Sequence, residues 1–224
     1  MSSWCALFDW DGVIIDSSAL HQKSWERLAA KENRTLPEGY FKKAFGMKND
    51  RIIPEILGWA KESDVVAMLA KQKEENYRQL IVEEGIHALP GVEWFLNALQ
   101  AAGIPAILAS SSSRLNIESA IDRIGLRPYF QDIVSGDQVP HGKPDPGIFL
   151  LACRTLGYPA HKAIVFEDAL VGIEAARAAE MKVVGVTTTH PREKLRHADW
   201  VVDRLDELSL DHLNAWFADM EFAG

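Results

Sequence analysis

Cysteine is nearly absent from this chain, with only Cys5 and Cys153 among 224 residues. Two isolated thiols exclude a disulfide-stapled scaffold and a thiolate zinc site, both of which need closely spaced sets. Each instead reads as a small core residue, Cys5 in a strand and Cys153 in a helical pattern. Basic charge is also scarce: 24 Lys and Arg stand against 32 Asp and Glu, a formal net charge of −8. Such a chain lacks the basic surface on which sequence-independent nucleic-acid binding depends, so no nucleic-acid partner is expected. No apolar run is long enough to span a bilayer, and no basic region followed by an apolar core opens the chain. The expectation is a protein without membrane partner or signal peptide, in a reducing, cytoplasmic setting. Internal repeats and low-complexity segments are missing too.

What is present is a 47% hydrophobic composition, enough for one large domain or a domain with an inserted subdomain. The run Cys5-Ala6-Leu7-Phe8 reads as a short buried strand, and Gly12 marks the end of regular structure. Between them stand Asp9 and Asp11, which on a strand's alternation point the same way. Two carboxylates that close are costly unless a cation lies between them or one is protonated. Either arrangement serves chemistry: one carboxylate as nucleophile, the other as proton shuttle. Asp-X-Asp-Gly also opens calcium loops, but those need a Glu at the twelfth position, where this chain has Leu20. Two solvated acids at a strand end is the plain alternative.

Three further segments carry polar groups at strand ends or in the loops beyond. Ile107-Leu108-Ala109 runs into Ser110-Ser111-Ser112-Ser113 and a helix over Leu115 to Ile124; hydroxyls and backbone N–H groups at such a turn suit an anion, or simply cap the helix. Gly142-Lys143-Pro144-Asp145-Pro146 holds Lys143 in a loop stiffened by two prolines, able to neutralise a phosphate oxygen or to sit solvated in a turn. Ala163-Ile164-Val165-Phe166 ends in Glu167-Asp168 and enters an amphipathic helix; Asp168 can join Asp9 around a hard metal, or both acids can offset a helix dipole. Strand ends are where open α/β sheets place their ligands.

In this order, Asp9-Trp10-Asp11-Gly12-Val13, Ser110, Lys143 and Glu167-Asp168 resemble the four signature motifs of the haloacid dehalogenase (HAD) superfamily, across essentially the whole chain. The resemblance implies that Asp9 is a nucleophile forming an aspartyl-phosphate and that Asp11 is the general acid, then base. It implies that Ser110, with Ser111 beside it, and Lys143 hold the phosphoryl group. It implies Mg2+ held by Asp9, Asp168 and the backbone carbonyl of Asp11, with Glu167 supporting the metal's water shell. The aspartate at position 11, which dehalogenases lack, favours phosphoryl transfer.

From Ser17 to about His87 the pattern is helical without a convincing strand: a helix capped by Ser18 through Leu28, then Pro37 to Phe45, Asn49 to Leu57 and Ser63 to Val82. Beyond Pro90 a helix at Val92 to Ala101 precedes strands at Ile104 to Ala109, Ile133 to Ser135, Ala163 to Phe166, Val183 to Val186 and Trp200 to Val202. Alternating strands and helices argue a parallel sheet covered on both faces. The expected fold is therefore α/β: a Rossmann-like core of residues 1–16 and 88–224, with a helical cap inserted at 17–87. A monomer is expected, with Trp216, Phe217 and Phe222 packing a last helix onto the sheet.

Within the superfamily the chain most resembles the β-phosphoglucomutase-like group and its phosphatase relatives, through Asp16-Ser17, His21, Trp25 and Lys73-Glu74-Glu75-Asn76-Tyr77. By that resemblance His21, Asn49 and Lys73 are substrate-binding residues. The mutases of this group grip a second phosphate with a cap arginine; in Gly46-Met47-Lys48-Asn49-Asp50-Arg51 that position holds Asn49, and lysine offers no bidentate fork. The favoured expectation is a phosphatase for a small phosphorylated metabolite, such as a sugar phosphate. A β-phosphoglucomutase is the alternative, followed by an inorganic pyrophosphatase or a non-catalytic phospho-ligand-binding protein.

Overall fold

A computed structural model of the chain describes residues 2–44 and 47–218. Its six strands are β1 (Cys5–Phe8), β2 (Ala106–Ser110), β3 (Ile133–Ser135), β4 (Ala163–Glu167), β5 (Lys182–Val186) and β6 (Trp200–Val202). All pair in parallel in the order β3-β2-β1-β4-β5-β6. β1 is central, with Leu7 opposite Ile107 on one side and Val165 on the other. Its four residues are all buried, as a parallel strand covered on both faces requires.

Alternation along β1 sorts its side chains between two packing layers. Cys5 and Leu7 join Ile107 and Val165 against Phe149, Ala152 and Cys153 of α7 (Gly147–Leu156) and Ile173 of α8 (Leu170–Ala178). Phe8 stacks on Phe166 at 4.4 Å, and both meet Phe95 of α5 (Val92–Ala101) edge-on. From β1 the sheet grows outwards through β2 and β3, then resumes on the other side at β4. The reversal falls between β1 and β4, and doubly wound sheets bind ligands beyond the C-terminal strand ends at such a point.

Contacts divide the chain into two units, Met1–Asp16 with His87–Gly224, and Ser17–Ile86. The larger holds the sheet. Its two segments meet where the chain leaves and returns: Ile15 bridges Ala88 antiparallel, and Leu89 N donates to Ile14 O at 2.9 Å. Among its described residues the smaller has helices and no strand, with α1 (Ser18–Lys31), α2 (Tyr40–Ala44), α3 (Asn49–Arg51) and α4 (Ser63–Glu84). Its own core joins Trp25 and Leu28 of α1 to Ile53, Leu57, Trp59 and Leu69.

Several boundaries differ from the sequence-based expectations. Ser17, not Ser18, occupies the cap position of α1. β2 starts at Ala106, since Ile104 N closes back on Leu99 O and Pro105 has no N–H to pair. The stretch expected as one helix from Asn49 is α3 followed by a π-helical turn over Ile52–Leu57, which ends at Gly58 in the left-handed region. α6 (Arg114–Ile121) starts one residue early and stops three short of Ile124. α2 begins at Tyr40, and Phe45 and Gly46 lie outside the described residues. α9 (Leu210–Ala215) stops before Trp216, while Phe217 is buried and stacks on Trp4; Phe222 lies outside the described residues.

Candidate active site

The peptide after β1 keeps the sheet's direction for one more bond, Asp9 N to Phe166 O at 3.0 Å, and then turns sharply. Ile14 N and Ile15 N both donate to Trp10 O, and Gly12 N to Ile15 O at 2.8 Å. Gly12 adopts φ +82°, and a Cβ there would lie 2.0 Å from Asp168 Oδ2. Only glycine lets this loop approach the acid that follows β4.

Asp9, Glu167 and Asp168 converge, with one oxygen from each within 4.8 Å of the others. All three are buried. Lys143 reaches in from the loop before α7, its side chain only 5% exposed. Its Nζ donates to Asp9 Oδ1 at 2.9 Å and to Glu167 Oε1 at 2.6 Å, and lies 4.8 Å above the Phe149 ring. Glu167 also accepts from Ala169 N at 2.7 Å, and Gly172 of α8 leaves room for it, since a Cβ there would fall 1.7 Å from Oε1.

Burial dominates the electrostatics. It pushes the Asp9 carboxyl up to about 7; the Lys143 ammonium opposes the rise, while Glu167 and Asp11 add to it. Burial likewise lifts Asp168 well above the usual carboxylate range, reinforced by Glu167 and Asp9. For Lys143 burial acts to lower the pKa, but the carboxylates of Asp9 and Glu167 outweigh it and hold the ammonium charged. Three carboxylates facing one ammonium leave negative charge to be neutralised. An all-oxygen set of this kind suits a hard divalent cation such as Mg2+, so the residues fit that ion.

The serine loop after β2 contributes the other sequence-marked positions. Ser110 is buried, and its Oγ accepts from Ser112 N at 3.1 Å. Ser111 faces the loop after β3, where a Cβ on Gly136 would meet the Ser111 carbonyl oxygen at 2.3 Å. Asp11 Oδ2 accepts from Ser112 Oγ at 2.5 Å, and its charge is felt at Asp9. Two partners escaped sequence reasoning. Ser112 was indistinct within a run of four serines. Thr189, whose hydroxyl donates to Asp168 Oδ2, lies after β5, and the strand-end rule applied to that strand marks it.

The remaining marked residues belong to the helical unit and come together there. Lys73 Nζ lies 2.7 Å from His21 Nδ1 and donates to Glu74 Oε1 at 3.0 Å. Asn49 Nδ2 donates to the same Glu74 oxygen at 2.5 Å. Glu74, the acceptor linking them, was not singled out as a site residue.

The family model for a haloacid dehalogenase-like hydrolase matches residues 5–180. The chain belongs to the haloacid dehalogenase-like hydrolases. It is 38% identical over 208 residues to the chloroplastic 5-amino-6-(5-phospho-D-ribitylamino)uracil phosphatase of Arabidopsis thaliana, covering 92% of this chain and 55% of that protein. The chain thus spans about half the length of that relative. It is 30% identical over 218 residues to the validoxylamine A 7'-phosphate phosphatase of Streptomyces hygroscopicus subsp. limoneus, covering 93% of this chain and 97% of the relative. Among solved structures, the β-phosphoglucomutase of Clostridium difficile superposes with a TM-score of 0.83 at 27% identity, covering 97% of this chain and 98% of the other. As in other HAD-like hydrolases, the Rossmann-like α/β sheet is the scaffold of the fold. Among the described residues no helix is long and apolar enough to cross a membrane.

Proposed function

We propose that this HAD-like hydrolase is a Mg2+-dependent phosphatase of a small phosphorylated metabolite, a sugar phosphate by preference. The observation that carries this reading is the convergence of Asp9, Glu167 and Asp168 with Lys143 at the C-terminal ends of β1 and β4. Phosphoryl transfer needs positioning and charge neutralisation above all, and this group offers both. Asp9 attacks phosphorus, and the ester P–O bond breaks as Asp11 protonates the departing oxygen. Asp11 then takes a proton from water, which attacks the aspartyl-phosphate and releases phosphate and free Asp9. Lys143 and Ser110 hold the phosphoryl oxygens, and Glu167 holds Lys143. Asp9, Asp168 and the Asp11 carbonyl would hold Mg2+, which supplies further neutralisation of negative charge.

The helical unit, residues 17–86, is the proposed cap and chooses among substrates through His21, Asn49 and Lys73. The structural likeness to a β-phosphoglucomutase keeps mutase activity as the second reading. Against it, Asn49 stands at the position of the phosphate-gripping arginine, and Arg51 is bound at 2.8 and 3.0 Å to Glu55. The test is phosphate release by purified protein with Mg2+ from sugar phosphates, nucleotides, pyrophosphate and β-glucose 1-phosphate. A coupled assay for glucose 6-phosphate runs alongside, primed with glucose 1,6-bisphosphate. Free phosphate without isomerised sugar is expected; glucose 6-phosphate with little free phosphate would establish the mutase instead.

The acidic group also makes a pH-dependent prediction. Without metal, the stability contributed by the raised carboxyl of Asp9 is present below its unfolded value near 3.8 and is lost as pH rises through about 7. Mg2+ replaces the proton as the neutralising charge. The rise in Tm on adding saturating Mg2+ should therefore be larger at pH 8 than at pH 6, as measured by differential scanning fluorimetry. A gain that is equal at the two pH values would argue against Asp9 as a ligand.

A further inference from the structure

The acids gathered beyond β1 and β4 are each held by a hydrogen-bond donor, and the donors differ in kind. Asp9 and Glu167 share the Lys143 ammonium. Asp168 Oδ2 accepts instead from the neutral Thr189 hydroxyl, its one donor among the described residues. A second ammonium there would compete with a cation for the same charge. A hydroxyl orients the carboxylate and leaves its charge in place.

A buried aspartate needs such a holder. The terminal torsion of its side chain is broad, so burial by itself does not decide which way the two oxygens face. At Asp168 the Gly12 backbone closes in on Oδ2, where a Cβ would fall 2.0 Å away, and Thr189 supplies the donor. The loop that carries Thr189 is anchored on the end of β6. Thr187 donates from its N–H to Val202 O at 3.0 Å and from its hydroxyl to Asp203 Oδ1 at 2.7 Å. Arg192 donates to the same Asp203 oxygen at 3.0 Å and to the Val201 carbonyl. β6 gives no residue to the acidic group, yet it fixes the loop on both sides of Thr189.

Mg2+ demands a strict octahedron of separate oxygens, whereas the larger Ca2+ also accepts both oxygens of one carboxylate. We infer that Thr189 is a positioning residue that sets cation choice: by engaging Oδ2 it holds Asp168 to one-oxygen coordination and so favours Mg2+ over Ca2+. This rests on the reading of the acidic group as a Mg2+ site. Here selectivity comes from denying the wrong ion its preferred geometry.

The test is metal affinity, measured by calorimetry without substrate, for wild type, Thr189→Val and Thr189→Ser with Mg2+ and with Ca2+. Valine keeps the branched shape and removes the hydroxyl. Thr189→Val should raise Kd for Mg2+ about tenfold or more, the scale on which a ligand's outer partner acts, with Kd for Ca2+ changed by less than about threefold. Thr189→Ser should restore the preference for Mg2+. The half-saturating Mg2+ for phosphate release from p-nitrophenyl phosphate should rise in step with Kd. The inference is overturned if the Mg2+ preference moves by less than about twofold, if both ions weaken alike as a general loss of structure would cause, or if Thr189→Ser is as poor as Thr189→Val. Thr189→Ala is the second variant, with the same expectation, should Thr189→Val lose its far-UV circular dichroism; the same loss in both would assign the hydroxyl to folding and overturn the inference. A shift in preference without phosphate release from wild type would overturn the phosphatase reading and leave the role of Thr189 standing. A wild type that binds no Mg2+ would overturn both.

Discussion

Asp9→Asn lowers the rate of phosphate release by roughly 10⁴- to 10⁶-fold, the scale on which a nucleophile's removal acts, and the variant folds. Asparagine keeps the shape and an oxygen acceptor for Lys143 Nζ, which lies 2.9 Å from Asp9 Oδ1. It removes a buried charge whose carboxyl is already pushed up to about 7. The sign for stability follows. A raised carboxyl contributes stability below its unfolded value and loses it as pH rises through the folded one. Above pH 7 and without Mg2+, the Asn variant should equal or exceed wild type in Tm, with the advantage fading towards pH 5. Steady-state phosphate release and thermal melts on the same preparations check both halves. Full activity in Asp9→Asn would rule out the proposed mechanism.

Lys143→Met is the opposite case, a large loss of stability together with a loss of rate. Methionine keeps an apolar stem over Phe149 but leaves Asp9, Glu167 and Asp168 facing one another without their cation. Breaking a buried ion pair by removing one partner costs about 3–5 kcal/mol, because the other charge stays buried and unmatched. For a chain of this size that corresponds to a fall in Tm of roughly 6–20 °C. The deficit should shrink as pH is lowered from 8 to 5, since Asp9 and Asp168, both with raised pKa, take up protons and stop repelling. Rate should fall by roughly 10²- to 10³-fold, the loss expected for one stabilising donor to a charged reacting group. Urea melts at several pH values are the measurement. A deficit under about 1 kcal/mol, or one independent of pH, would mean that Lys143 is not the counter-charge of the buried carboxylates.

The sheet was legible because its strands are short, mostly apolar runs with polar residues at or just beyond their ends. Cys5 to Phe8, Ile133 to Ser135 and Trp200 to Val202 have the same bounds in sequence and structure. Where bounds moved, local chemistry outweighed hydrophobicity: Pro105 has no N–H to donate, and the Ile104 N–H is spent closing α5. The π-helical turn after Arg51 has a hydrophobic pattern indistinguishable from an α-helix over six residues. For the candidate site, the strand-end rule led to Asp9, Lys143, Glu167 and Asp168, which do lie together. Side-chain partners were harder. Ser112 and Thr189 are ordinary hydroxyls in sequence, and their importance appears only when distant loops bring them to Asp11 and Asp168. Glu74 was hidden in a charged helix segment, where an acid beside a lysine usually means a solvated face.

The central position of β1 also bears on how the chain is made. Its two neighbours in the sheet begin at Ala106 and Ala163, far downstream of Cys5. At about 5–20 residues per second, a ribosome delivers the second of them on the order of ten seconds after the first strand. Until β2 is made both edges of Cys5-Ala6-Leu7-Phe8 are unpaired, and one edge stays unpaired until β4 follows; an apolar segment in that state is the kind that recruits strands from other chains. The helical unit is synthesised within the same interval and has a core of its own around Trp25, Leu28 and Trp59. Nascent-chain order is then helices first and sheet last, and chaperone demand during synthesis should fall on the N-terminal strand.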